Sequence, residues 1–370
     1  MDLFIALTII VIASIVIMYA CDSFDDAASY LGRNMAPGVR GATINAIGSS
    51  MPELFTALFL LFLFQDRDGF AAGVATTAGS AIFNSVLIPA LCILAVRYRG
   101  VLREGDSVRK KIFSIRVTKK SILRDGFFLL MAEAALIWFL GYHIMTWWMG
   151  ALMLAIYGLY FLFLARGFGG NSDEPQEASQ EAEDEADAPP AKWKALLTLD
   201  FNQFFFGGRA YSTGSAWIVL SAATTVIGIA CWQLADAVMV SAEALGVPAY
   251  FTALVFAAAA TSVPDTVLSV KDALRGEYDD AIANAVGSNT FDITVGLGFP
   301  LFLYALLFGD VVVQSADQTQ ALRIVLFLVT SLVLSIFLLS KKVTATTAYL
   351  LLAIYLGWIA FIFYDVSTVL

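Results

Sequence analysis

Charge is what this chain has least of. Asp, Glu, Lys and Arg together make up 14% of 370 residues, and there is a single histidine, where soluble domains carry about 25% charged residues. So little charge, set between long apolar runs, excludes a soluble enzyme and a nucleic-acid-binding protein. Cysteine is scarce too. Cys21, Cys92 and Cys231 lie in or beside apolar runs without metal-ligand spacing, so no disulfide framework is implied. No Gly-x-x-x-x-Gly-Lys-Ser/Thr stretch is present, so no phosphate-cradling loop is expected. The alternation over roughly ten residues that marks outer-membrane barrel strands is missing. Met1-Asp2-Leu3 lacks the basic flank of a signal peptide, so the first apolar run is expected to be retained.

What is present is apolar sequence, 59% of the chain, gathered in runs such as 3–20, 127–140, 151–165 and 324–339. A bilayer core takes about 20 such residues per helix. The pattern predicts an all-α polytopic membrane protein with about ten spans, near 3–20, 37–64, 70–96, 126–144, 147–166, 213–239, 246–273, 277–308, 320–340 and 344–366. Between the fifth and sixth lies an acidic segment with eight acids and no Lys or Arg, ending in Pro189-Pro190. It has the composition of a solvated spacer. Without those acids the formal charge of −9 becomes −1, so the acidic balance describes one linker. The chain therefore divides into a first membrane unit, 1–166, a cytoplasmic linker, 167–212, and a second unit, 213–370.

Lys and Arg placement sets the expected orientation, because cytoplasmic loops are enriched in them. Ten lie between Arg97 and Arg124. Placing that loop inside puts both termini outside and leaves only Arg67 and Arg323 on the outer side. Span one then runs inward and span six outward, so the two five-span halves are inverted. A cell (plasma or inner) membrane location follows.

Each half carries a related motif, within 41–94 and 253–307. The first reads Gly48-Ser49-Ser50-Met51-Pro52-Glu53, then Gly79-Ser80-Ala81-Ile82-Phe83-Asn84. The second reads Ala260-Thr261-Ser262-Val263-Pro264-Asp265, then Gly287-Ser288-Asn289-Thr290-Phe291-Asp292. The first half holds four more residues between acid and motif end, expected in the turn around Gln65–Gly69. Related segments in inverted halves are the signature of an inverted-repeat transporter. Pro52 and Pro264 have no N–H, so the carbonyls near Gly48 and Ala260 lose their helical partners. Inside a membrane something must satisfy them, and a cation can. Ser49 with Glu53, Thr261 with Asp265, Ser80 with Asn84 and Ser288 with Asp292 are each four apart and share a helix face. Ser50 and Ser262 add hydroxyls at the breaks.

Glu53, Asp265 and Asp292 would thus gather near the midplane, and the basic residues of these spans, Arg40 and Lys271, lie at span ends. One carboxylate at a bilayer centre costs at least about 2.5–3.5 kcal/mol. Three together would protonate unless cations joined them. Dense hard oxygens suit Ca2+, which takes about 6–8. Three negative charges are balanced by Ca2+ plus one monovalent ion, or by about three Na+. Shared ligands make these loads exclusive, which is the basis of exchange.

The paired motifs resemble the alpha repeats of the sodium/calcium exchanger superfamily, and within it most resemble the potassium-dependent branch. The resemblance implies that Glu53 and Asp265 ligate Ca2+. It implies that Ser49, Ser50, Thr261, Ser262, Ser80, Asn84, Ser288 and Asp292 complete the site, with an acid rather than an amide at 292 linked to K+ use. It further implies spans one and six sliding across a core of spans two, three, seven and eight. The function so implied is Ca2+/Na+ antiport serving calcium homeostasis, with K+ co-transport left open. The transported ions and the lipid bilayer are then the partners. No cofactor, enzyme activity or obligate protein partner is expected. A proton-coupled Ca2+ exchanger is the runner-up, although that branch carries Asn-Ala before its acid. An intramembrane aspartyl protease and a passive channel rank lower, since the protease Gly-x-Gly-Asp signature is missing: Phe299 follows Gly298. Glu133, inside span four, is balanced between a role in function and a bond to a neighbouring hydroxyl. His143, Tyr142, Trp147 and Trp148 read as an interfacial belt, and Gly48, Gly73, Gly79 and Gly287 as sites of close helix packing.

Overall fold

The computed structural model describes residues 2–33, 46–102, 108–115, 118–167, 192–340 and 342–369. The acidic spacer, the start of span two with Arg40, and Arg103, Arg116 and Lys341 lie outside the described residues. Among the described residues the regular structure is helical apart from two short ribbons and an isolated bridge between Val101 and Lys110. In chain order the first half contains α1 (Leu3–Leu31), α2 (Ala46–Ser49), α3 (Met51–Phe64), α4 (Gly69–Arg99), α5 (Lys119–Leu140) and α6 (Trp147–Gly167). Two one-and-a-half-turn helices follow, α7 (Lys192–Leu197) and α8 (Phe201–Phe206). The second half contains α9 (Thr213–Leu245), α10 (Ala249–Thr261), α11 (Val263–Arg275), α12 (278–308), α13 (Ala316–Leu339) and α14 (Ala345–Val369).

Seven of these helices are long and apolar enough to cross a membrane, and the α10/α11 pair, bent by 41°, raises the number to eight. The two other expected spans fall short for visible reasons. The α2/α3 rod is broken at Ser50, and α5 carries Lys119, Lys120, Arg124, Asp125 and Glu133. Both breaks follow from proline. Pro52 and Pro264 occupy the second positions of α3 and α11, where a missing N–H is tolerated, and the chain turns one residue before each helix begins.

Helices α1 and α9 make the most extensive helix pair in the molecule. Their buried faces repeat at a shift of 210 positions: Ala13 and Ala223, Ile17 and Ile227, Ala20 and Ala230, Cys21 and Cys231 are all buried. Two ribbons tie the halves together. β1 (Ser114–Ile115) pairs antiparallel with β4 (Val343–Thr344), and β2 (Ile144–Met145) with β3 (Val311–Val312). Each ribbon joins the loop before the fourth helical rod of one half to the loop after the fourth rod of the other. Of the four extra residues of the first motif, two lie where expected, in a turn at 65–68 against a two-residue turn at 276–277 in the second, and one lengthens the helical stretch on each side of it. The extra turn has a use. Asp68, in left-handed conformation, accepts from the Gln314 and Ser315 amides at 3.1 and 2.6 Å, satisfying donors beside the N-terminus of α13.

The interfacial reading of Tyr142, Trp147 and Trp148 agrees with their exposure of 53%, 50% and 41%. His143 lies beside them and contacts Asp317 at 3.3 Å. One topological assignment needs correction. Arg323 is in no outer loop: it is fully buried within α13. Its Nη1 donates to Glu133 Oε1 on α5 at 2.8 Å, and its Nη2 donates to the Val74 carbonyl at 2.8 Å and to the Thr77 hydroxyl on α4. The same bonds settle Glu133, whose partner is a cation from the other half. Loop counting misplaced Arg323 because it treats every basic residue near a span end as solvated.

Candidate cation site

Four rods, α2/α3, α4, α10/α11 and α12, deliver the ten candidate residues to one place. Ser49, Ser50, Glu53, Ser80, Asn84, Thr261, Ser262, Asp265, Ser288 and Asp292 are all fully buried. Their contacts run between halves as much as within them. Ser80 Oγ lies 3.2 Å from Glu53 Oε1 and 3.3 Å from Asp292 Oδ2. Asn84 Nδ2 donates to Asp265 Oδ2 at 2.9 Å and approaches Ser288 Oγ at 3.4 Å. Ser262 Oγ donates to Ser80 Oγ at 3.1 Å. Ser49 contacts Asp265, Thr261 lies beside Glu53, and Ser50 lies beside Asp292. The pattern respects a two-fold relation. The hydroxyl four residues before one acid meets the acid of the other half, and each Gly-Ser serine bridges its own acid to the opposite Asn or Asp.

The helices widen where the polar groups converge. Phe83–Leu87 in α4, Ala253–Ala257 in α10 and Asp292–Leu297 in α12 are π-helical, a departure common at functional sites. Pro89 and Pro300 explain two of the three. Each removes the donor for a carbonyl four residues earlier, at Ser85 and Gly296, inside the widened turn.

Acceptors go unmatched at the site, and the nearby buried cation, Arg323, is already paired with Glu133. Among the described residues, Glu53 Oε2, Asp265 Oδ1, Asp292 Oδ1 and Asn84 Oδ1 are buried and accept no hydrogen bond. An unpaired buried acceptor costs roughly 1–3 kcal/mol, more when charged, and these four oxygens belong to the residues chosen for ligation. No three His, Cys, Asp or Glu side chains among the described residues close on one point as a metal cluster. Hydroxyl and amide oxygens must therefore share any ion with the acids.

Three features were not anticipated. The Ala260 carbonyl, expected to look to a cation, instead accepts from Ser14 Oγ of α1 at 3.2 Å. Asn289, beside Ser288, donates to the Ala81 carbonyl at 3.2 Å and to Ser85 Oγ at 2.8 Å, fixing α12 against α4. The Arg323–Glu133 pair braces the same α4 one turn before Ser80. Of the glycines, Gly79 fits its expected packing role: a Cβ there would lie 2.2 Å from the Leu254 carbonyl and 2.4 Å from Ala258 Cβ. Gly48 is equally tight, against Asp25 of α1, whereas Gly287 has only Tyr160 Oη at 3.7 Å.

Inverted helical halves, two proline-broken rods and a buried acidic cage between them define a polytopic cation transporter. The family described as sodium/calcium exchanger protein matches residues 5–166 and 215–364. The chain belongs to this family, whose members are membrane exchangers and not enzymes. The human sodium/potassium/calcium exchanger 5 is 27% identical over 80% of this chain and 69% of its own length. The Escherichia coli inner membrane protein YrbG is 25% identical, with 80% of each chain covered. The Drosophila melanogaster sodium/potassium/calcium exchanger Nckx30C is 31% identical over 37% of this chain but only 16% of its own length. The chain thus spans a small part of some curated relatives. Among solved structures, the H+/Ca2+ exchanger CAX aligns over 98% of this chain and 85% of its own with a TM-score of 0.70 at 13% identity. The sodium-calcium exchanger NCX_Mj aligns over 97% and 99% with a TM-score of 0.57 at 20% identity. These structures share the fold.

Proposed function

We propose that the protein is a secondary antiporter that exchanges Ca2+ for Na+ across a cell membrane. The observation that carries this reading is that Glu53, Asp265 and Asp292, each with an unpaired buried oxygen, are linked through Ser80 and Asn84 where the two halves meet. Glu53 and Asp265 are the central Ca2+ ligands. Ser49, Ser50, Thr261, Ser262, Ser80 and Ser288 supply neutral oxygens. Asn84 and Asp292 flank the centre, and Asp292 is the residue through which K+ would enter the cycle.

Charge balance dictates the exchange. Three carboxylates bind a divalent ion with one monovalent ion, or several monovalent ions, and ligands shared by both loads bar joint occupancy. Each ion therefore weakens the other by the same factor. Alternating access is motion of the α1/α9 pair against the four-rod core, with both termini outside and the acidic linker inside.

The test is radiocalcium flux into vesicles with Na+, K+ and pH gradients set independently. Ca2+ uptake driven by an outward Na+ gradient is the expected result. Uptake driven by a pH gradient alone would replace Na+ by H+. Peptide cleavage lost on Asp265→Asn, or a current needing no counter-ion, would replace the reading altogether.

A further inference from the structure

Proline at 264 withdraws the donor that the Ala260 carbonyl would have in an unbroken helix, and the partner that replaces it comes from elsewhere. Ser14 Oγ, on α1, donates to that carbonyl at 3.2 Å. The bond joins the long helix pair to the broken core helix one residue before Thr261 and five before Asp265.

Inverted symmetry assigns this contact a twin. The shift of 210 that superposes the buried faces of α1 and α9 carries Ser14 onto Thr224, and the motif shift of 212 carries Ala260 onto Gly48. Pro52 removes the donor for the Gly48 carbonyl just as Pro264 does for Ala260. Yet Thr224 Oγ1 donates within its own helix, to the Leu220 carbonyl at 2.7 Å. Among the described residues no side chain donates to the Gly48 carbonyl. One of the two equivalent caps is made and the other is not. Both residues are half-buried on their helices.

We infer that Ser14 and Thr224 are alternating caps, positioning residues that stabilise opposite conformations of the transporter. In the conformation described here Ser14 holds the Ala260 carbonyl. In the opposite one the α1/α9 pair has moved, Ser14 has released Ala260, and Thr224 has left Leu220 to cap Gly48. The inference deepens the antiport reading and rests on it. A buried carbonyl must be satisfied in each state. Paired caps let the helix pair move while leaving one break satisfied by protein and the other open to a cation.

The experiment is sided exchange in proteoliposomes, with apparent Ca2+ affinity read separately on each face. Ser14→Ala disfavours one conformation, so affinity rises on one face and falls on the other by roughly two- to tenfold, the range of one hydrogen bond. Thr224→Val shifts the two faces in the opposite sense. The double variant returns toward the parent, and Ser14→Thr retains the parent's balance. Shifts of the same sense in both single variants, or none in either, would overturn the proposal. A second readout does not depend on transport. In detergent, Ser14→Ala speeds amide hydrogen exchange around 258–266 and Thr224→Val leaves it unchanged; parental protection in Ser14→Ala would sink the cap. A parent protein that moves no Ca2+ but shows this difference would overturn the antiport reading and leave the Ser14 cap standing.

Discussion

Position for position, Glu53 of the first half stands where Asp265 stands in the second, and Ser80 where Ser288 stands. The next pair breaks the match, since Asn84 faces Asp292. The halves therefore bring the same shape and different charge: one acid from the first, two from the second. Packing differs as well. Gly79 is pressed against the α10 backbone, while its counterpart Gly287 has room. The lesson is that two-fold geometry gathers the polar groups, and under the proposed function the departures from it set which ions they take. A strictly symmetric cage would carry an even number of charges. In the proposed exchange cycle the odd carboxylate is what would call for a monovalent ion beside a divalent one.

The sharpest way to break this comparison is to remove one of the matched acids. Glu53→Gln and Asp265→Asn each keep shape and delete one charge from the centre. Both are expected to reduce Ca2+ flux by at least a hundredfold, measured on folded protein of parental size-exclusion profile. If one variant transports normally, the two acids are not equivalent and the centre lies with the other.

Those acids were legible in the sequence because two signals coincided, a proline-acid step and a Gly-Ser motif, repeated in both halves. The pairing of α1 with α9 was not legible in the same way. Ala13, Ile17 and Ala20 are ordinary residues in an apolar run, and their repetition at 223, 227 and 230 gains meaning only when both faces are seen to be buried. Ser14 was hidden for a similar reason: a serine in a membrane helix usually bonds back to its own backbone. Arg323 was misassigned because its partner, Glu133, lies 190 positions away on another helix. Pattern reading finds residues that share a helix face. It does not find partners brought together by helix packing.

Packing asymmetry gives the next prediction. Gly79→Ala places a methyl group within 2.4 Å of Ala258 Cβ and closer still to a backbone oxygen that cannot swing away. Gly287→Ala meets only a contact at 3.7 Å. The first is expected to cost more than about 3 kcal/mol, at or beyond the upper end of ordinary overpacking, and to lose exchange. The second should change thermal stability by less than about 1 kcal/mol. Equal behaviour in a thermal-unfolding assay would mean that the halves pack alike.

The ion pair between halves comes next. Glu133→Ala leaves the Arg323 guanidinium buried without its counter-charge, expected to destabilise the fold by about 3–5 kcal/mol. Glu133→Leu combined with Arg323→Met removes both charges and should recover most of the loss, because desolvation is relieved as the attraction is given up. Thermal unfolding of the parent and the two variants decides between a bond that holds α4 in place and a charge merely tolerated there. If the double variant is no more stable than Glu133→Ala, the pair contributes through its bonds to Val74 and Thr77 and not through its charge.

The smallest effect is expected where the halves differ most in chemistry. Asp292→Asn makes the second half match Asn84 and lowers the cage from three carboxylates to two. Two charges balance a single Ca2+ without a companion ion, so some Na+/Ca2+ exchange should persist while any stimulation by K+ disappears. The amide keeps an oxygen for Ser80 and Ser50, so local geometry survives. The measurement is Na+-driven Ca2+ flux with K+ raised from zero in parent and variant. Stimulation retained in Asp292→Asn would place the monovalent ion elsewhere. A parent indifferent to K+ would mean that Na+ fills that position, and the third carboxylate would then set Na+ stoichiometry instead of K+ dependence. In either case the informative residue is the one at which the repeat fails to repeat.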